Sequence, residues 1–77
     1  GDVKYGVQLG PKGYAVVLWN EEDEEKGADV SISELQGKKM SITISKPYEN
    51  TIETETLPVR VTVKPHRIAI VLIEIKS

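Results

Sequence analysis

Five consecutive acids, Glu21-Glu22-Asp23-Glu24-Glu25, are the densest chemical feature of the chain. Hard cations such as calcium want several carboxylate oxygens, so a metal site is the first chemistry to weigh. Calcium loops, however, alternate their ligands and turn sharply on a glycine, as in Asp-x-Asp-x-Asp-Gly. An unbroken run on a hairpin points side chains both ways, and mutual repulsion keeps it in water. The run therefore reads as a solvated loop, and no metal ligand is assigned. Its 5 acids are local: of 12 acidic residues 7 remain without them, against 10 basic ones, so a net charge of −2 becomes +3.

Other chemistry is sparse. Glycosidases need two carboxyl groups about 5–10 Å apart in a cleft. Glu53 and Glu55 could share a strand face, but they stand among threonines with nothing to raise one pKa. Glu74, between Ile73 and Ile75, reads as the point where the last strand leaves the core, or as an edge guard. The single histidine, His66, follows Pro65 at a corner and reads as a turn residue bonded to backbone. No serine lies in a Gly-x-Ser-x-Gly elbow, and the absence of cysteine excludes a disulfide framework, a thiolate site and a Cys nucleophile. No catalytic residue, metal or cofactor is assigned. A net charge of −2 and scattered basic residues argue against a nucleic-acid partner. No apolar run approaches the roughly 18 residues of a membrane span, and Gly1-Asp2-Val3-Lys4 does not read as a signal peptide. Among the aromatic residues, Trp19 and Tyr14 sit in the most apolar segment, which leaves Tyr48, between Pro47 and Glu49, as the candidate ligand contact.

The elements that would position these residues are strands. At 77 residues the chain is one domain, 1–77, with 39% hydrophobic and 29% charged residues. Valine, isoleucine and threonine dominate, apolar residues alternate, and every segment is short and bounded by turn residues. The pattern predicts strands over 3–9, 14–20, 28–33, 39–45, 51–56, 59–63 and 67–75, with one helical turn near 34–38. Val3, Tyr5, Val7 and Leu9 share a face in the first. Six or seven short strands of this kind make a small antiparallel, Greek-key-like β-sandwich. Its expected core is Val16, Leu18, Ile42, Ile44, Val61, Val63, Ile70 and Leu72.

Two segments break the alternation. Tyr14–Trp19 and Ile68–Ile75 are apolar at both parities, whereas a free two-layer sandwich needs one apolar face per strand. Either loops cover the second face, or it packs on another domain or chain. The second reading makes Trp19, Ala69, Val71 and Ile73 an interface.

The stretch Gly13-Tyr14-Ala15-Val16-Val17-Leu18-Trp19-Asn20, its acidic loop, and Val61-Thr62-Val63-Lys64-Pro65-His66-Arg67-Ile68-Ala69-Ile70-Val71-Leu72 carry a resemblance. Together they resemble the small C-terminal β-sandwich domain of glycoside hydrolases. There an early strand reads Tyr-x-Val-x-Leu-x-Asn before a polar loop, and the closing pair reads Val-x-Val-x-Pro-His-x-x-x-x-x-Leu. Asn50-Thr51 is similar to arabinofuranosidase tails, and Arg67-Ile68 to α-mannosidase and α-glucosidase tails, so the parent enzyme stays open. The resemblance implies a non-catalytic domain that supports a catalytic domain or an oligomer. The alternative is a stand-alone module that recognises carbohydrate or protein.

Overall fold

The computed structural model describes residues 3–35, 37–47 and 51–76. Seven antiparallel strands build two sheets: β1 (Lys4–Gly10), β2 (Gly13–Trp19), β3 (Lys26–Val30), β4 (Met40–Ser45), β5 (Thr51–Thr54), β6 (Val59–Val63) and β7 (Ile68–Ile75). The larger sheet has the order β1-β2-β7-β4-β5, and β3 pairs with β6 in the smaller one. The chain therefore crosses between layers, from β2 through β3 to β4 and from β5 through β6 to β7, on a Greek-key-like path. A 3₁₀ turn at Ser33–Leu35 stands where one helical turn was expected.

Alternation sets the core. Val16 and Leu18 of β2, Met40, Ile42 and Ile44 of β4, and Val59, Val61 and Val63 of β6 are all buried, with Val30 and Leu35 beside them. Pro11-Lys12 link β1 to β2, where Gly10 faces Gly13. Gly13 has a packing role: a Cβ there would overlap the carbonyl oxygen of Ile73, so only glycine lets β2 approach β7 this closely. β3 begins two residues earlier than its sequence suggests. Lys26 and Gly27 are poor strand formers, but pairing to Val63 and Thr62 draws them into the ladder.

The last strand is turned over relative to expectation. Ala69, Val71 and Ile73 are core residues, each at most 2% exposed, and do not form an outward interface. Leu72, expected inside, is 48% exposed, and Ile70 is half-buried. Both parities of β7 are apolar, so its own pattern could not choose between them. Pairing decides the matter: Val71 lies opposite both Val16 and Ile44, and Ala69 opposite Leu18. Residues directly opposite share a face, so the strict alternation of β4 fixes which side of β7 points inward, and β2, paired on the other edge of β7, follows.

Ile42→Ala should cost about 2–5 kcal/mol, as lost transfer energy plus a cavity, whereas Leu72→Ala should cost under about 1 kcal/mol. Urea denaturation of the two variants checks the assignment of faces, since the opposite orientation of β7 would make Leu72→Ala the severe change.

Candidate functional site

The acidic loop is organised from below by one buried side chain. Asn20 directly follows β2 and is 2% exposed. Its Oδ1 accepts a hydrogen bond from the Glu22 amide at 2.8 Å, an Asx turn. Its Nδ2 donates to the carbonyls of Glu24 at 2.8 Å and Val63 at 2.9 Å. The Asn20 amide donates to the carbonyl of Arg67 at 3.1 Å. The carboxamide thus closes the loop and ties it to the end of β6, while the backbone amide of the same residue joins the end of β2 to the start of β7. Asn20 stood in the sequence only as the last letter of a strand motif. The signal was there: asparagine after an apolar strand and before a polar run is the residue that bonds backbone two positions on.

Above this base the acids are spread apart, Glu22 half-buried and the other four exposed. Glu21 meets Lys4 of β1 at 2.7 Å, Asp23 meets His66 at 2.7 Å, and Glu24 lies 3.9 Å from Lys26. The Lys4 ammonium, first by hydrogen bonding and then by its charge, holds the Glu21 carboxyl below its ordinary value; a smaller hydrogen bond from Trp19 acts in the same direction. Lys4 is raised in turn, chiefly by the hydrogen bond to Glu21. Among the described residues no group of three or more His, Asp or Glu side chains is placed to hold a metal ion. His66 is the turn residue expected, but its ring meets a side chain and not backbone. Its ring Nε2 contacts the Asp23 side chain, and its backbone takes φ 58°, with the Arg67 amide donating to the carbonyl of Lys64 at 3.2 Å. Proline second and a positive φ third is the type II turn pattern. The Pro-His corner is thus a tight turn whose imidazole reaches across to the acidic loop.

The remaining carboxylates do not converge. Glu53 lies opposite Thr43 on the outer side of β5, Glu55 follows the strand beside a groove of about 470 Å³, and Glu74 is exposed opposite Ser41 on β7. That groove is walled by Ile32, Leu35, Met40 and Leu57. Tyr14 hydrogen-bonds Glu34 at 3.3 Å, and partial desolvation, followed by the charge of Glu34, raises its phenol above the ordinary value. Tyr48 lies outside the described residues.

The second candidate surface is the outer face of the large sheet. Trp19 pairs with Ile68, Val17 with Ile70, and Ala15 with Leu72. Ile68 is 44% exposed, Val17 sits at the margin of exposure, and Trp19 and Ile70 are half-buried. The Trp19 ring lies against Gly6, 3.9 Å from where a Cβ would stand, so it is laid down on β1 and does not stand free as a stacking platform. Of the four residues expected at an interface, only Trp19 lies on this face; its companions are Val17, Ile68, Ile70 and Leu72. No family model, curated protein or solved structure matches the chain.

Two outcomes follow from the loop. Asn20→Asp keeps the acceptor for Glu22 but loses both donors and turns a negative charge toward two carbonyls. It should cost about 2–4 kcal/mol by chemical denaturation, at least as much as Asn20→Ala. For Glu21 the folded pKa lies below the unfolded one, so its contribution is present above the ordinary value of 4.5 and is lost as pH falls through the folded value. The melting temperatures of the parent and Glu21→Gln should therefore differ at neutral pH and converge at strongly acidic pH.

Proposed function

We propose that this chain is a non-catalytic β-sandwich domain of a glycoside hydrolase, with its outer sheet face docked on the catalytic domain. The observation that carries the reading is the apolar stripe across the middle of the large sheet, from Trp19 and Val17 to Ile68, Ile70 and Leu72. A solvated sheet face is normally polar at these positions, and a contiguous apolar patch on the surface marks a contact. The Tyr14–Asn20 strand with its polar loop and the Val61–Leu72 pair with its Pro-His corner support the choice of family. The dispersed carboxylates support a structural role in place of catalysis.

The test uses the full gene product. A glycosidase catalytic domain is expected in the same polypeptide. Leu72→Lys in that protein should lower its melting temperature by about 2–4 °C for each kcal/mol of lost docking, while leaving the 77-residue domain folded when it is produced alone. A gene product without such a domain overturns the reading, as does an enzyme whose melting is indifferent to both Leu72→Lys and Ile68→Lys.

A further inference from the structure

The inner face of the large sheet is also incompletely covered, on the side away from the docking stripe. Strands pair about 4.8 Å apart, so five of them span about 19 Å and two span about 5 Å. The smaller sheet cannot reach across. At the β4–β5 end, buried Leu35 and the flanking Ile32 and Leu57 line the groove of about 470 Å³ beside Glu55. At the β1 end a groove of about 430 Å³ runs between β1–β2 and β3. Tyr5 and Val7, opposite core residues Leu18 and Val16 in the β1–β2 ladder, line it and are 68% and 55% exposed, and Leu9, two residues further along the same face, is 72% exposed.

Two sheet edges stand free at this groove. Among the described residues β3 pairs only with β6, and β1 only with β2. Proteins usually blunt such edges with short strands, charges or proline. The opposite edge, β5, is four residues long and carries Glu53. β1 is seven residues long, and from Tyr5 to Gly10 it has no charge and no proline.

We propose that a second copy of the same chain fills the groove. Turned about a two-fold axis between the layers, each copy lays its β1 where the other lacks a third strand beside β3. The free edge of each β1 then meets the free edge of β3 in its companion. Tyr5, Val7 and Leu9 pack across the layers on the same three residues of the second copy. The contact is isologous and closes at two subunits. The ionised groups at the rim already have partners, Lys4 with Glu21 and Asp29 with Arg60, so the apolar contact takes in no unpaired charge from them. Of the edge strands of the larger sheet, β1 is the longer and is uncharged from Tyr5 to Gly10, so its free edge is what a second copy has to offer.

Sedimentation equilibrium of the 77-residue chain should give twice its 8.5 kDa mass. Val7→Lys and Val7→Glu, at a position already half open to solvent, should each weaken the dimer about 100-fold or more, because like charges then face one another near the axis. Mixing the two variants should restore a heterodimer. Leu72→Lys, on the outer face, should leave association unchanged, which separates this contact from the docking stripe. If Val7→Lys does not fold, Leu9→Lys makes the same test. A parent chain that stays monomeric at millimolar concentration overturns the proposal. So does a dimer that survives Val7→Lys but is lost in Leu72→Lys, or a pair of opposite-charge variants that fail to associate.

Discussion

The molecule is governed by a shortage of chain. Seventy-seven residues supply five strands to one layer and two to the other. Two strands can cover only the middle of a five-stranded sheet, so burial is concentrated over β2, β7 and β4. The core residues Ile42, Val61, Val63 and Val71 lie almost wholly out of water, while β1 is exposed along its whole length. The same shortage leaves the outer face of β2 and β7 without a third layer. A chain this small buries a smaller share of its unfolded surface than a larger domain does, and here apolar area stays open at two places.

Within those limits the polar economy is tight. No buried side-chain nitrogen or oxygen among the described residues lacks a partner. Asn20 accounts for much of this: the point where β2 ends, β6 ends and β7 begins has several backbone groups to satisfy, and one carboxamide serves three of them. The carboxylates above it are held apart by contacts to Lys4, His66 and Lys26, from three different parts of the chain. A run that looks like simple charge repulsion in one dimension is a loop with a fixed base and laterally distributed partners in three.

Much of this was legible in the sequence. Alternation in Met40–Ser45 and Val59–Val63 named the inward residues correctly, because each strand has one apolar parity and one polar parity. The all-β class and the number of strands followed from the same pattern. What the pattern could not supply was the orientation of β7, where Ile68, Ile70 and Leu72 compete with Ala69, Val71 and Ile73 on equal terms. That choice belongs to the partners of β7, and no local rule contains it. The same holds for β1. Its Tyr5, Val7 and Leu9 alternate as a half-buried strand should, but whether a strand is covered depends on how far the opposite layer extends. Of the candidate surfaces, the double-sided character of β2 and β7 was visible in advance, whereas the identity of its outward residues was not. The Asx turn of Asn20 had a local signal, whereas its bonds to Val63 and Arg67 join chain ends that meet only in the fold.

The strand order has a temporal side. β7 is the last strand in sequence and the middle strand of the large sheet. A polypeptide leaving the ribosome can form the β1–β2 and β4–β5 hairpins early, since each joins neighbours in sequence. Neither hairpin can join the other until residues 68–75 emerge, because the strand between them has not yet been made. Until then β2 and β4 each present a bare apolar edge to the cell. The domain therefore closes its larger sheet in one late step, and a nascent chain stalled before Ile68 has the β1–β2, β3–β6 and β4–β5 pairs but lacks the strand that joins the first to the last.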